Sequence, residues 1–261
     1  MLKTDYLDVA IRSVKEAGKI HKKYFQRDLK IRTKSSSFDL LTVADTESEK
    51  AIVKVINKYF PCHNILGEEY KYAKTKSDYT WIIDPLDGTN NFVSGLPIFC
   101  ASVALKHNDQ IIVGAIYDET RDELFYAQKN KGAFLNGKRI RVNLARNLKE
   151  SLLITGFYYS RGWNMLHTLQ IIKRFFFSHI RGLRRLGAAA LDLCYVACGR
   201  VSGFWEFELS PWDYAAGKLL VEEAGGRITD KSGNKLPLTK KTFVVASNSK
   251  IHSRMLTIIN K

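Results

Sequence analysis

The short apolar run Trp81-Ile82-Ile83, which leads directly into Asp84-Pro85-Leu86-Asp87-Gly88-Thr89, constrains this chain more than any other feature. Bulky and β-branched residues in so short a run read as a buried strand, and the Pro and Asp-Gly that follow turn the chain out of it. More strands follow. Ala101 to Leu105, Ile111 to Tyr117 and Leu124 to Ala127 are separated by short turn-like segments, and Asn136-Gly137 is a type I′ hairpin signal, so an antiparallel sheet is expected here.

Two helices are expected before this sheet. Residues 5 to 26 carry Leu7, Ile11, Val14, Gly18 and His21 on one face at 3.6 periodicity, and a polar link, Thr33-Lys34-Ser35-Ser36-Ser37, follows. The second helix is expected to start near Asp45-Thr46, with Thr46 and Glu49 as a capping box, and to run through Ile52, Val55 and Tyr59 to Pro61. After about residue 150 the pattern alternates. Strands are expected at Leu152 to Thr155, near Leu183, at Gly203 to Phe207, ending near Thr229 and at Phe243 to Ala246; helices at Trp163 to Phe177, Ala188 to Ala197, Trp212 to Ala224 and the end of the chain. The expectation is an α+β chain with an N-terminal half over 1–150 and a layered α/β half over 151–261. No repeat or low-complexity linker separates the halves, so the boundary is soft and the unit compact.

Composition excludes several classes. Gly88 to Leu105 is the longest uncharged stretch, but Asn90, Asn91, Ser94, Gly95 and Pro97 interrupt it, so no membrane span is expected. Asp5, Asp8 and Arg12 break up the N-terminal apolar residues, which argues against a secretory signal and for the cytoplasm. Cys62, Cys100, Cys194 and Cys198 read as buried reduced thiols, and six scattered histidines give no second pair for zinc. The balance of 41 Lys and Arg against 26 Asp and Glu, a net charge of +15, admits an anionic ligand or a nucleic-acid surface. Its only tight basic cluster is Arg181, Arg184 and Arg185, without a basic tail, so a solvated cationic surface is the simpler account.

The hexapeptide brings the carboxylates of Asp84 and Asp87 and the carbonyl of Leu86 to one point, a set of hard oxygen ligands that suits Mg²⁺. Taken alone it is more readily a plain turn. Thr89, after Gly88, begins a helix whose free N–H groups would face an anion. Gly67-Glu68-Glu69 follows Ile65-Leu66 as a strand end presenting a carboxylate, or equally as an acidic surface turn. Asp213 opens a helix, where a carboxylate is also simply favourable. No Gly-x-x-x-x-Gly-Lys-Ser/Thr run is present, so a P-loop kinase is excluded, and no His-based nucleophile pattern appears.

In combination, Gly67-Glu68-Glu69, Trp81 to Phe92 and Pro211 to Gly217 resemble the three signatures of the inositol monophosphatase family. The resemblance extends from Lys34 and Asp45 to the closing Ala246-Ser247-Asn248-Ser249-Lys250-Ile251-His252, and the bacterial branch is most similar. It implies a layered αβαβα sandwich, a homodimer, and Mg²⁺-dependent, lithium-inhibited hydrolysis of phosphate monoesters. By that resemblance Glu68, Asp84 and the Leu86 carbonyl hold one metal; Asp84, Asp87 and Asp213 hold a second; and Glu68 serves a weaker third, two to three ions in all. Asp45, Thr89 and Glu68 prepare the attacking water, Gly88 and Thr89 hold phosphate, and Asp87, Gly187, Ala189 and Glu206 contact the substrate.

Two positions depart from the family pattern: Ala188 stands where Ser or Thr is common, and Ser94 where His is common. Neither is a metal ligand, so the departures bear on the substrate. Asn90-Asn91-Phe92 and Glu206 point to inositol 1-phosphate or a related polyol or sugar phosphate. Adenosine bisphosphate, histidinol phosphate and fructose bisphosphate remain the alternatives because the metal core is shared. Some bacterial relatives act on the transcription machinery, which adds an RNA polymerase or RNA contact as a further partner expectation.

Overall fold

The computed structural model describes residues 5–27, 31–33, 40–157 and 162–261; Lys34 and the serines after it in the polar link lie outside them. Helix α1, Tyr6–Tyr24, is capped by Asp5, whose carboxylate accepts from the Leu7 amide, and buries Val9, Ala10, Val14, Ala17, Gly18 and His21. Strands β1, Arg32–Thr33, and β2, Leu40–Leu41, then form an antiparallel pair. Helix α2, Val43–Tyr59, starts earlier than expected. Thr42 is extended and makes the capping box with Asp45, whose Oδ2 accepts from the Thr42 amide at 2.7 Å. The Thr46–Glu49 box is therefore not formed: Thr46 donates to the Val43 carbonyl and Glu49 is engaged elsewhere.

Strands β3 (Asn64–Gly67), β4 (Tyr79–Asp87), β5 (Cys100–His107), β6 (Gln110–Asp118), β7 (Glu123–Gln128), β8 (Gly132–Leu135) and β9 (Lys138–Ile140) form one sheet in sequence order, with helix α3, Thr89–Val93, between β4 and β5. All neighbours are antiparallel except β3 and β4, which run parallel. Asn136 and Gly137, with φ of 47° and 81°, make the turn from β8 to β9 that the sequence signals. A second sheet follows the order β11-β10-β12-β14-β13, built from β10 (Leu152–Thr155), β11 (Gly182–Arg184), β12 (Gly203–Leu209), β13 (Arg227–Thr229) and β14 (Thr242–Ser247). Between these strands run α4 (Trp163–Phe177), α5 (Ala189–Ala197) and α6 (Pro211–Glu223), and α7 (His252–Ile259) closes the chain.

Strand alternation sorts these elements into layers. Trp81 and Ile83 of β4 face α1 and α2, packing with Val14 and Ile52, whereas Ile82 between them faces α5 and α6. In the second sheet Phe204 and Ala246 face α5 and α6, whereas Trp205 and Val245 pack with Phe175 of α4 and Met255 of α7. The result is the αβαβα sandwich, with each sheet buried on both faces. Gly114 of β6 lets α6 approach closely, since a Cβ there would lie 3.0 Å from Ala216 Cα. Among the described residues no helix is long and apolar enough to cross a membrane. The cysteines are free thiols; Cys62 is exposed rather than buried, because it follows α2 in a surface turn.

His252 ties the end of the chain to the second sheet. Its fully buried ring hydrogen-bonds Thr229 of β13 and Ser247 of β14, both at 2.9 Å. Burial, with the Arg227 charge adding to it, pushes the ring down from 6.5 to about 4. Because the native state disfavours the protonated ring, this contribution to stability is complete above pH 6.5 and is lost as pH falls toward 4. Calorimetric melting across that window should show wild-type stability falling by about 1–3 kcal/mol more than that of His252→Gln; parallel curves would contradict the assignment.

Candidate active site

Six chain segments converge on one cleft of about 230 Å³ between the sheets: the end of β3, the end of β4 with α3, the segment before α5, the start of α5, β12, and the start of α6. Its walls carry Glu68, Asp84, Leu86, Asp87, Gly88, Thr89, Gly187, Ala189, Glu206 and Asp213, all named from the sequence. Asp45 lies behind this wall, with its Oδ1 accepting the Thr89 hydroxyl at 3.0 Å.

Local structure explains the convergence. Along the β4–β5 ladder Asp84 pairs with Ser102 and Asp87 with Cys100, so β4 has an extra residue and bulges. A bulge resets side-chain alternation, which lets two aspartates three positions apart face one cleft. The strand thus extends past Asp84, where the sequence suggested that it ends. Gly88 follows with φ of 96°, and a Cβ there would lie 2.8 Å from the Ile98 carbonyl, so both conformation and space call for glycine.

Backbone amides hold the acids in place. Asp84 Oδ1 accepts from the Leu86 amide at 3.1 Å, Asp87 Oδ2 from the Ala190 amide at 2.7 Å, and Asp213 Oδ2 from the Ser210 amide at 2.7 Å. The last bond is half of the capping box that starts α6. Thr89 Oγ1 also lies 3.1 Å from the Leu86 carbonyl. The carboxylates nevertheless repel one another. Burial pushes Asp87 up to about 7, and the Glu68 charge adds to this against the Ala190 amide. Glu206 is pushed up to about 8 by burial and then by Asp87; Asp213 is held well above the usual range by burial, Glu68 and Asp87.

The donor set is oxygen only, which is what Mg²⁺ takes, and a cation among these acids would offset the burial and mutual repulsion that raise them. Among the described residues no three acidic, His or Cys side chains close around a point tightly enough to form a finished cage. The residues therefore fit the chemistry of the ion while their carboxylates stand apart.

Other residues here were missed from sequence. Arg185, Lys241 and Glu208 stand at the rim of the cleft. Asp192, buried in α5 with no hydrogen-bond partner for either oxygen among the described residues, is held far above its ordinary value by burial, Glu206 and Asp87. A lone acid inside the apolar run Ala189–Ala197 was the available signal. Glu49, assigned to a cap, instead accepts from the amides of Glu69 and Tyr70 and the hydroxyl of Tyr72, fastening the turn that carries Glu68.

Comparison with known proteins accords with this arrangement. The sequence pattern of the inositol monophosphatase family matches residues 2–261. The chain is 40% identical over 260 residues to the Nus factor SuhB of Pseudomonas aeruginosa, covering 97% of this chain and 95% of that one. Among solved structures, the extragenic suppressor protein suhB of Bartonella henselae superposes with a TM-score of 0.92 at 36% identity, covering 97% and 98% of the two chains. An IMPase of Thermotoga maritima does so with 0.90 at 38%, covering 98% and 97%. An IMPase/NADP phosphatase complexed with Mg²⁺ and phosphate is 27% identical, with a TM-score of 0.83 over 94% of this chain and 91% of that one. The chain belongs to the inositol monophosphatase family.

Proposed function

We propose that this protein hydrolyses small phosphate monoesters with Mg²⁺, and that inositol 1-phosphate or a related polyol phosphate is its preferred substrate. The observation that carries this reading is the meeting of Glu68, Asp84, Asp87 and Asp213 in one cleft with the Asp45–Thr89 pair at its wall. The Mg²⁺ and phosphate in the related IMPase/NADP phosphatase support it.

Glu68, Asp84 and the Leu86 carbonyl would hold one ion, Asp84, Asp87 and Asp213 a second, and Glu68 a weaker third. Bound there, Mg²⁺ supplies a more acidic water and neutralises charge on the phosphate oxygens. The protein's own groups do the rest. A Thr89 hydroxyl that donates to Asp45 turns its lone pairs toward the cleft, where they accept a proton of the attacking water and aim its oxygen at phosphorus. Gly88 and Thr89 amides bind the phosphate oxygens, Asp87 and Glu206 accept from substrate hydroxyls, and the backbone at Gly187 and Ala189 lines the substrate side.

A second reading concerns partners. The relatives named Nus factor SuhB and the net charge of +15 favour a contact with the transcription machinery or RNA alongside catalysis. Helix α4 also presents Trp163, Leu166, Phe176 and Phe177, each at least half exposed, as apolar contacts suited to a homodimer.

A phosphatase panel run with and without Mg²⁺, and repeated on Asp87→Asn, tests the catalytic reading. Inositol 1-phosphate should be turned over in preference to adenosine bisphosphate, and chelation or the substitution should each reduce the rate at least about 100-fold. Undiminished activity in either control would remove the metal assignment. Sedimentation tests the dimer: wild type should run as two copies and Phe177→Glu as one, and an unchanged profile would exclude α4 as the contact.

A further inference from the structure

His21 is a polar ring in the apolar face of α1 and is 0% exposed. Such a ring is costly to bury unless both nitrogens find partners. They do: Nδ1 lies 2.8 Å from Glu119 Oε1 and Nε2 lies 2.8 Å from the Pro85 carbonyl oxygen. A carbonyl oxygen only accepts, so Nε2 carries a proton.

Pro85 sits between Asp84 and Leu86, at the point where the β4–β5 pairing skips from Asp84 to Asp87. Proline has no N–H, and the bulge takes residue 85 out of register with β5, so the sheet fixes this peptide less firmly than its neighbours. The Pro85 carbonyl is engaged by α1, and the next carbonyl, that of Leu86, lies 3.1 Å from the Thr89 hydroxyl in the cleft wall, so the placement of one bears directly on the other.

The surroundings hold the ring in this pose. Phe92 and Phe99 meet it edge-on at centroid distances of 6.1 and 5.9 Å. One turn earlier, Gly18 lets α1 settle onto β6, since a Cβ there would lie 2.7 Å from the Tyr117 ring and 3.3 Å from Glu119 Cβ. Glu119 is buried, and its other oxygen has no hydrogen-bond partner among the described residues. A buried polar pair of this kind contributes little net stability, so its value here lies in position.

We propose that His21 is a positioning residue for the metal-binding hexapeptide: its hydrogen bond to the Pro85 carbonyl orients the Leu86 carbonyl and Asp84, and Glu119 holds the ring in that pose. This rests on the metal reading above, and the experiment separates the two.

Mn²⁺ binding, without substrate, is measured by electron paramagnetic resonance on full-length wild type, His21→Leu and, as a control on the same helix, Ser13→Ala, each checked for cooperative unfolding. His21→Leu should bind Mn²⁺ about 10-fold more weakly, as loss of an outer partner to a metal site does, and Ser13→Ala should match wild type. No Mn²⁺ binding by wild type would remove the metal reading itself; equal binding by folded His21→Leu would overturn the positioning role alone. Should His21→Leu fail to fold, ¹⁵N-histidine NMR of wild type decides. The proposal requires an exchange-protected His21 Nε2–H signal that shifts on Mg²⁺ addition, and an unprotonated Nε2 or a signal unmoved at saturation would overturn it.

Discussion

The repulsion among Glu68, Asp84, Asp87, Asp213 and Glu206 is the interaction on which the rest of this architecture depends. Burial removes the water that would screen these charges, and with their mutual repulsion it pushes Asp87, Glu206 and Asp213 above the usual carboxylate range. Spread along one flexible segment, such groups would move apart. Here they come from β3, β4, β12 and α6, each anchored in a sheet or helix packed on both sides. The sandwich supplies rigid attachment points that the side chains alone lack, and amide donors at Leu86, Ala190 and Ser210 partly offset the local cost.

The same constraint explains why irregular backbone collects at one end of the layers. The β4 bulge, the left-handed Gly88 and the short α3 follow one another within a few residues. Each breaks ladder regularity, and each is braced from outside the sheet. His21 holds the Pro85 carbonyl, Asp45 holds Thr89, and the Asn91 amide donates to the Ile98 and Leu186 carbonyls. Glu49 does likewise for the turn after Glu68. Helices α1 and α2 therefore do more than cover the sheet: their few buried polar groups set the geometry of the loops next to the cleft.

Much of this was legible in the sequence because local signals and burial agree. Trp81-Ile82-Ile83 shows period 2 and continuous apolarity together, as a strand between two helical layers must, and Asn136-Gly137 marks its turn through backbone conformation alone. The residues that line the cleft were named because Gly67-Glu68-Glu69, Trp81 to Phe92 and Pro211 to Gly217 resemble family signatures. What escaped depends on tertiary neighbours. Thr42 and Thr46 are both acceptable caps before an acid, and only the packing of α2 selects Thr42. Glu49 and His21 look like an ordinary surface acid and an ordinary face residue until Tyr72 and Pro85 are seen opposite them. Arg185 read as surface charge because nothing local says that the chain from β11 to α5 brings it to the rim of an acidic cleft.

Distance between layers bears on how two roles could share one chain. The acidic cleft opens between the sheets, whereas the exposed apolar residues of α4 lie on the outermost layer, beyond the second sheet. Trp205 and Phe175, stacked with centroids 4.5 Å apart, belong to the core that separates them. The start of α4 nevertheless comes near the cleft, since the His167 ring lies 5.3 Å from that of Phe207, which stands in β12 between the cleft-lining Glu206 and Glu208. Any coupling between a partner on that face and the cleft would run through β12, whose Trp205 and Phe207 pack on the α4 side while Glu206 and Glu208 line the cleft.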